Sequence, residues 1–451
     1  MLRGSLLSRW FAIFGAVALG YVGGATVIFF GLPSSDFLER AFIGARSWSK
    51  RPDAAPSNAG QPSSSETLAE KSESIDKPSR TFDGFTLYAC ADNQGAGAEA
   101  LLIDMTGEVV HRWALAAWQV RLNETNIEGG TNKVHNFKPC FYGLHLDPDG
   151  NLLVVSHGAP PVGGAGLARL DKDSNILWEY PGAVHHDIDV GQDGNIYAIE
   201  NEFLIEMPAG LEHIAAPCKS DRLVVLSADG ERLREPISIL EAIQKSPYSM
   251  LLSSLRKARG TEGPPDAGHD SPLDEGQRRF DLLHTNFVEV LNAKRAAKFP
   301  AFREGQVLIS MRHLDAIAVL DVETGSVVWA ASGPWREQHD PHFLDNGHLL
   351  IFDNRGGPRG SRVIEYDPQT QAFPWSYPGE NDRPFYSSER GMGQRLPNGN
   401  TLIADSEEGK LIEVTQDREI VWFYSTGRFI TTARRYVGDE LRFLGGRRAR
   451  L

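Results

Sequence analysis

Residues 186–201 read HDIDVGQDGNIYAIEN, and residues 339–354 read HDPHFLDNGHLLIFDN. Each stretch is an apolar strand, an Asp-Gly or Asn-Gly turn and a second apolar strand, which is the pattern of a β-hairpin. The same phrase returns at residues 144–158 and 390–406, and in irregular form at residues 284–312. The phrase therefore predicts a chain built from repeated hairpins.

A second phrase follows each hairpin: an apolar strand, a turn and a strand that usually ends in Trp. Six copies occur, at residues 100–113, 167–180, 222–236, 317–331, 362–377 and 410–424. The third copy, RLVVLSADGERLREP, has lost its Trp. Trp329 and Trp375 are 46 residues apart and Trp375 and Trp422 are 47 apart, a spacing that suits four antiparallel strands. The six copies predict an all-β, six-bladed β-propeller over residues 83–437.

The two ends of this body are expected to meet in one blade. The first copy lacks its inner strand, and the segment RFITTARRYV at residues 428–437 can supply it. Pairing of the N- and C-terminal segments would leave no open sheet edge. Residues 237–276 interrupt the repeat as one helical insertion, which is compatible with a lid, a partner-binding helix or a passive decoration. Residues 438–451 form a basic tail.

The first 82 residues differ in composition from the rest of the chain. Residues 10–32 form an uncharged apolar stretch whose helix would be about 34 Å long, enough to cross a bilayer. Residues 1–35 are therefore expected to be an uncleaved membrane anchor. Residues 36–82, rich in Ser and Pro, are expected to be a solvated stalk. An anchor, a stalk and an acidic body predict a domain held outside the cytoplasmic face.

Composition excludes several classes of protein. The formal net charge is −13, and no long basic stripe is present, so we expect no nucleic-acid partner. Three cysteines, Cys90, Cys140 and Cys218, are too few for a four-cysteine zinc site. They are compatible either with one disulfide, Cys140 with Cys218, or with three unpaired buried thiols.

Three histidines share one position in the repeat. His186 lies eight residues before the turn glycine Gly194, and His339 lies eight before Gly347. The irregular copy begins at His284. Because the inner strands of a propeller start around its central channel, these histidines are expected to point at one axis.

Further polar side chains are expected near the histidines. Asn286 follows His284 by two residues. In the first hairpin copy, Tyr142 lies eight residues before the turn glycine, the position that His186 and His339 hold in theirs. Arg312 and His313 end the second strand of the blade that contains His284. A three-histidine zinc site is an alternative, but a guanidinium attracts anions and repels a metal cation. His145, His342 and His348 fall at other phases of the repeat, which favours structural roles.

Several motifs together resemble the bacterial arylsulfotransferase family. They are the HD…DG…N phrase, LLHTN (282–286), SMRHLDAIAVLD (310–321), WREQHD (335–340) and RLPNGNTLIADS (395–406). The resemblance covers roughly residues 83–437. It implies transfer of a sulfuryl group from an aryl sulfate to a phenol without a nucleotide donor, through a sulfohistidine.

The resemblance also implies roles for individual residues. His339, in the Gln-His phrase, would be the nucleophile. His186 or His284 would protonate the leaving phenolate and later take the proton of the acceptor phenol. Arg312 and Asn286 would hold the sulfuryl oxygens, and no metal or diffusible cofactor is implied. With the predicted anchor, the family suggests a single-pass protein of a bacterial inner membrane, with its propeller on the periplasmic side.

Two other functions remain open from the sequence. One is a non-catalytic, membrane-tethered propeller that binds an anionic ligand or scaffolds an envelope complex. The other is a quinoprotein-like oxidoreductase, because LDVETGSVVWA (320–330) resembles the repeats of that class. Quinoprotein propellers commonly have eight blades and bind calcium, which fits poorly with six Trp copies and three histidines.

Overall fold

The repeats form antiparallel sheets around one axis, so the predicted six-bladed β-propeller is confirmed. The computed structural model describes residues 79–91, 98–115, 118–121, 134–137, 140–157, 164–214, 216, 218–255, 280–357, 360–378 and 385–446. In blades 2 to 6 the hairpin phrase supplies the first two strands of the sheet, and the first of them is the innermost.

The strands of the first two blades follow the repeat with one addition. Blade 1 contains β1 (Phe85–Cys90), β2 (Ala98–Ile103) and β3 (Val109–Leu115). A separate hairpin comes next, formed by β4 (Trp118–Arg121) and β5 (Val134–Phe137). Blade 2 contains β6 (Phe141–Leu146), β7 (Leu152–His157), β8 (Gly164–Leu170) and β9 (Ile176–Tyr180).

Blade 3 carries the helical insertion, and its outer strand is reduced. It contains β10 (Val184–Val190), β11 (Ile196–Leu204), β12 (Cys218–Leu226), β13 (Ile237–Ser238) and β14 (Phe280–Asp281). The copy that lost its Trp thus ends in a strand of two residues. Helix α1 (Ile239–Gln244) and a 3₁₀ helix (Ser249–Ser254) follow β13.

The remaining blades are regular except at one turn. Blade 4 contains β15 (Thr285–Val290), β16 (Val307–Met311), β17 (Ala316–Asp321) and β18 (Ser326–Ser332). Its irregular inner turn holds the short helix α2 (Ala293–Ala296), and a 3₁₀ turn (Arg312–Leu314) follows β16. Blade 5 contains β19 (His339–Phe343), β20 (Leu349–Gly357), β21 (Gly360–Tyr366) and β22 (Trp375–Tyr377). Blade 6 contains β23 (Met392–Arg395), β24 (Thr401–Asp405), β25 (Lys410–Val414) and β26 (Ile420–Ser425).

The C-terminus closes the ring, as expected from the missing inner strand. Strand β27 (Ile430–Tyr436) pairs antiparallel with β1 and completes blade 1. Two 3₁₀ turns, Gly438–Glu440 and Arg442–Leu444, come after it. The first and last strands of the propeller therefore belong to one sheet, which leaves no unpaired inner position.

The core lies between the faces of neighbouring blades. Phe287 and Ile317 of blade 4, for example, belong to the same buried cluster as Phe343 and Ile351 of blade 5. Three of the repeat tryptophans also connect blades by hydrogen bonds: Trp113 Nε1 donates to the Gly150 carbonyl (3.0 Å), Trp375 Nε1 to the Gln416 carbonyl (2.9 Å) and Trp422 Nε1 to the Met105 carbonyl (2.8 Å). In these copies the Trp connects neighbouring blades, whereas Trp178 Nε1 has no hydrogen-bond partner among the described residues.

The remaining expectations from the sequence concern the N-terminal anchor and stalk and the three cysteines. No helix among the described residues is long and apolar enough to span a membrane. The anchor expected at residues 10–32 and most of the expected stalk lie outside those residues. The three cysteines form no disulfide with one another, so the proposed bridge between Cys140 and Cys218 is wrong.

Candidate active site

Four inner strands share an irregularity near their first residues. Each shows a register shift: Phe141/Leu144 in β6, His185/Ile188 in β10, Thr285/Phe287 in β15 and His339/His342 in β19. A β-bulge leaves residues out of the ladder and bends the strand, and bulges often adjoin active sites. Three residues at or beside these bulges have left-handed backbones: His186 (φ 60°), His284 (φ 49°) and Asp340 (φ 50°).

The predicted aromatic and histidine side chains meet beside these bulges. The ring centroids of His186 and His284 are 4.8 Å apart, and those of His284 and His313 are also 4.8 Å apart. The Tyr142 ring lies edge-on to His186 at 6.4 Å. Blades 2, 3 and 4 therefore contribute to one continuous cluster.

A small cavity adjoins this cluster at the channel axis. Its lining includes Tyr142, His186, Asn286 and His339, which are four of the seven residues predicted for the site. It also includes Arg390, which is not among the predicted site residues. The buried Nδ2 of Asn286 donates to the Gln338 carbonyl (2.9 Å).

The other three predicted residues lie next to the cavity. His284 contacts His186, and Arg312 Nη1 donates to Nε2 of His313 (3.4 Å). Arg312 also has a carboxylate partner, because its Nη2 donates to Oε2 of Glu337 (2.6 Å). The structure thus brings all seven residues together, with the guanidinium of Arg312 partly neutralised.

The hydrogen bonds of His339 determine which ring nitrogen carries the proton. Its Nδ1 is 2.8 Å from Oδ1 of the fully buried Asn354. The Nδ2 of Asn354 donates to the carbonyls of Ser387 (2.7 Å) and Arg390 (2.9 Å), so its Oδ1 is the acceptor. Nδ1 therefore holds the proton, and Nε2 keeps its lone pair. Asn354 ends the quoted hairpin phrase, so its sequence position, like that of Arg312, is at the end of the second strand of a blade, but its contact with His339 was not predicted.

His339 is neutral at pH 7. Burial holds the pKa of this imidazole well below its usual range, and the nearby guanidinium groups of Arg312 and Arg390 lower it further. The hydrogen bond to Asn354 opposes this shift. A neutral imidazole with an unprotonated Nε2 is the form that can attack an electrophile.

His284 is hydrogen-bonded to a half-buried carboxylate. Its Nδ1 is 2.9 Å from Oδ2 of Asp281, and the Asp281 carboxylate also contacts Lys219 Nζ (2.7 Å). Burial lowers the pKa of His284 to about 4, although the Asp281 carboxylate opposes the shift. His284 therefore donates from Nδ1 and presents an unprotonated Nε2. Asp281 lies three residues before His284, but this spacing is no signal on its own.

His186 approaches a second, buried carboxylate through its neighbour. Nδ1 of His186 is 2.6 Å from Nδ1 of the buried His185. Nε2 of His185 in turn lies 3.2 Å from Oδ1 of Asp221, whose Oδ2 accepts the Thr285 backbone N–H (2.7 Å). His284 thus has a direct hydrogen bond to an aspartate, whereas His186 approaches one only through His185, whose Nε2 makes no hydrogen bond among the described residues.

A metal ion fits poorly among these groups. Asp281, His284 and His313 have potential ligand atoms that all lie within 4.8 Å of one another. The Asp281 carboxylate already pairs with the Lys219 ammonium, and Arg312 is beside His313. Two fixed cations at this spot favour an anion over a metal cation.

A larger cavity continues along the channel. It has a volume of about 510 Å³ and shares Asp187 and Asp340 with the small cavity. His342 also lines it and pairs with Asp340 (3.2 Å) and Glu289 (3.5 Å). Burial opposes protonation of His342, but these carboxylates raise its pKa to about 10. A charged, paired His342 fits the structural role expected from the sequence.

The solved structures that resemble this chain share little sequence identity with it. A protein of unknown function from Bacteroides caccae is 12% identical, with a TM-score of 0.45 over 78% of this chain and 98% of its own. A putative 6-phosphogluconolactonase from Bacteroides uniformis is 9% identical, with a TM-score of 0.41 over 79% and 100%. A virginiamycin B lyase from Staphylococcus aureus is 10% identical, with a TM-score of 0.34 over 68% and 73%. These values support no inference about the function of this chain.

The family comparison is informative. No curated protein matches the sequence. The model of the family described as "Arylsulfotransferase (ASST)" matches residues 145–427, which is more than half of the chain. The match includes six of the seven predicted site residues and supports aryl sulfotransferase activity in general. The chain therefore belongs to the arylsulfotransferase family.

Proposed function

We propose that the protein moves a sulfuryl group from an aryl sulfate to a phenol through a covalent intermediate on His339. The observation that carries this proposal is the hydrogen bond between His339 Nδ1 and Asn354 Oδ1 (2.8 Å), which leaves the Nε2 lone pair beside the cavity. A covalent intermediate divides one difficult displacement into two easier ones.

Both half-reactions are in-line displacements at sulfur. In the first, Nε2 of His339 forms a bond to sulfur while the bond from sulfur to the aryl oxygen breaks. The departing phenolate takes a proton from His284 or His186. In the second, the oxygen of an acceptor phenol bonds to sulfur, the N–S bond breaks, and the phenol proton returns to the same imidazole. The overall exchange needs no nucleotide and no redox partner.

The acid–base step depends on the imidazole pKa values. In the empty site His284 is neutral, because burial lowers its pKa to about 4. A bound sulfate ester carries a negative charge, which favours the protonated form of a neighbouring imidazole and raises its pKa. The Asp281 carboxylate stabilises the imidazolium once it forms.

Charge on the sulfuryl oxygens needs fixed donors. Arg312 and Asn286 are the candidates proposed from the sequence, with His313 and Tyr142 at the edge of the site. Donors held in place before the reaction stabilise developing charge without reorganisation. The Tyr142 ring offers an apolar face to an aryl group of the donor or acceptor.

Intact mass measurement of the protein after incubation with a chromogenic aryl sulfate tests the proposal. We expect a mass gain of one sulfuryl group that disappears when a phenol is added and is absent in His339→Ala. His348→Ala is the matched control, because His348 pairs with Glu365 (2.7 Å) away from the small cavity. An active His339→Ala protein would exclude the covalent scheme. A wild-type protein with no adduct and no phenol release would favour a propeller that only binds an anion.

We also propose that residues 10–32 anchor the propeller on the periplasmic side of the bacterial inner membrane. The support is their length and lack of charge. Resistance of the full chain to alkaline extraction, with protease access only from the periplasm, is the expected result. Release from membranes at alkaline pH would contradict it.

A further inference from the structure

Arg390 lies in the same small cavity as His339, His186 and Asn286. It comes just before β23, so blade 6 supplies this side chain to a cluster otherwise built by blades 2 to 5. The Arg390 carbonyl accepts a hydrogen bond from Asn354 Nδ2 (2.9 Å). Because Asn354 also holds the His339 ring, one amide fixes the nucleophile and the Arg390 backbone relative to each other.

The Arg390 guanidinium is held in a defined position. Its Nη1 donates to the Thr431 carbonyl (2.8 Å). Its central carbon lies 3.8 Å from the centroid of the Tyr142 ring, which is a cation–π contact. A ring on one side and a carbonyl at one nitrogen restrict the rotation of the side chain, so the remaining N–H groups are preorganised.

Asp187, in the same cavity, and Glu389 interact only through longer-range charge with the Arg390 guanidinium, and no carboxylate among the described residues forms an ion pair with it. Arg390 Nη2 is buried and has no hydrogen-bond partner within the described ranges. By contrast, Arg312 Nη2 is bound to Glu337. A buried charged donor without a partner is costly, and an anionic ligand removes that cost by accepting its hydrogen bonds.

We propose that Arg390 is a catalytic residue that binds the oxygens of the transferred sulfuryl group, with Tyr142 positioning its guanidinium. This assignment rests on the proposed sulfuryl transfer at His339. The ligand class is a sulfate monoester or, in the intermediate, the sulfuryl group attached to His339. Arg312, already paired with Glu337, then acts at the edge of the site as an additional cation.

The proposal has a kinetic consequence that separates it from other roles. The sulfuryl group is common to both half-reactions, whereas the donor ring occurs only in the first and the acceptor ring only in the second. Replacing a residue that holds the sulfuryl oxygens should therefore lower kcat/KM for the donor and kcat/KM for the acceptor by a similar factor. A residue that holds one aryl ring should affect one half-reaction alone.

The test uses Arg390→Gln and Arg390→Lys, with Arg395→Gln as the matched control. Arg395 lies five residues on, stacks over the Trp375 ring at 4.8 Å, and is neutralised by Glu365 (2.7 Å). We expect Arg390→Gln to slow both formation and discharge of the His339 adduct about 100-fold, the usual effect of losing one preorganised donor. Arg390→Lys keeps the charge but loses the planar fork, so its loss should be intermediate.

Binding of inorganic sulfate, measured by calorimetry, provides a readout that needs no turnover. We expect Arg390→Gln to weaken sulfate binding about tenfold or more, as for loss of a charge-assisted hydrogen bond. Arg395→Gln should retain wild-type affinity. Circular dichroism and thermal unfolding identify variants that fail to fold. If Arg390→Gln fails to fold, Arg390→Lys replaces it in the binding and kinetic measurements.

The outcomes separate the two proposals. Equal sulfate affinity in wild type and Arg390→Gln, absence of sulfate binding in the wild type, or a defect confined to one half-reaction would overturn the role of Arg390. A wild-type protein that binds sulfate through Arg390 but forms no adduct on His339 retains Arg390 as an anion-binding residue and overturns the covalent transfer.

Discussion

At the scale of single residues, the reactivity of His339 depends on which of its ring nitrogens is protonated. Two acceptors lie near Nδ1, the Asn354 amide oxygen (2.8 Å) and the Glu337 carbonyl (3.0 Å). Neither can donate, because the Asn354 amide nitrogen is already bound to two carbonyls. Both contacts therefore favour the tautomer with a free lone pair on Nε2.

We expect Asn354→Ala to slow formation of the sulfuryl adduct about fivefold. The change removes the hydrogen bond to His339 Nδ1, whose typical net value is about 1 kcal/mol, while the Glu337 carbonyl remains. It also removes the two hydrogen bonds from the amide nitrogen to the Ser387 and Arg390 carbonyls. Single-turnover release of a chromogenic phenol measures this rate. Asn346→Ala, in the exposed turn of the same hairpin, is the control and should retain the wild-type rate. An unchanged rate in a folded Asn354→Ala protein would assign the tautomer to Glu337 alone.

The depressed pKa of His339 leads to a prediction about pH. Protonation of the imidazole abolishes its nucleophilicity, and a histidine with an ordinary pKa loses half of its activity near pH 6.5. Burial, together with Arg312 and Arg390, moves this loss to lower pH. With a donor whose phenolate leaves without a proton, the rate of adduct formation should stay level as the pH falls through 6.5. A half-maximal rate near pH 6.5 would contradict this account.

At the scale of elements, the β-bulges explain why counting residues from the turn glycine predicts some residues of the site and misses others. Counting back from the turn glycine pairs His186 with His339, and both do line the small cavity. In the strand ladder, however, His185 pairs with Ile199 and His339 pairs with Phe352. Both partners lie five positions after the turn glycine, so His185 is the structural equivalent of His339. His186 instead lies within the bulge. Counting assumes an unbroken strand, so it finds the cluster but misses His185 and its contact with Asp221.

The fold was more predictable than the site for a physical reason. Strand alternation, turn residues and the recurring Trp are local signals, and they indicated six blades and a closure by residues 428–437. Arg390 reaches the cavity from another blade, Asn354 contacts His339 across a bulged hairpin, and Asp281 lies three residues before His284, a spacing that is no signal on its own. No local pattern distinguishes them from ordinary loop or strand residues. The catalytic roles assigned to the seven predicted residues stay predictions.

The backbone at His284 supports a prediction about stability. With φ of 49°, this residue adopts the left-handed conformation, which costs a side-chain-bearing residue about 1–2 kcal/mol. Both His284→Ala and His284→Gly remove the imidazole, but only glycine is relieved of that cost. We expect the glycine variant to have the higher free energy of unfolding, by about 1 kcal/mol. Urea denaturation followed by circular dichroism measures the difference.

The same pair of substitutions at Glu241 is the control. Glu241 lies in helix α1, where glycine is less favourable than alanine by about 1 kcal/mol. The order of the two variants should therefore reverse between the two positions. An alanine variant more stable than the glycine variant at both positions would show that the left-handed backbone at His284 carries no cost.

At the scale of the whole molecule, the ring is closed by β27 pairing with β1 and by a buried ion pair beside that seam. Arg435 on β27 contacts Glu413 on β25, and both side chains are fully buried. Arg435 Nε also donates to Thr86 Oγ1 on β1 (3.0 Å), and Glu413 accepts the Phe82 backbone N–H (2.8 Å). This cluster connects blades 1 and 6 through side chains as well as through the ladder.

We expect Arg435→Met to lower the free energy of unfolding by about 3–5 kcal/mol. Burial lowers the pKa of the Arg435 guanidinium only to about 10, so the wild-type pair is charged at pH 7. Removing the cation leaves the Glu413 carboxylate buried without its partner, which costs more than the pair contributes. Adding Glu413→Gln removes the stranded charge and keeps an acceptor for Phe82, so the double variant should recover much of the loss. Equilibrium urea denaturation of the three proteins provides the comparison. A double variant no more stable than Arg435→Met would show that Arg435 stabilises the seam through packing and its bond to Thr86, not through charge.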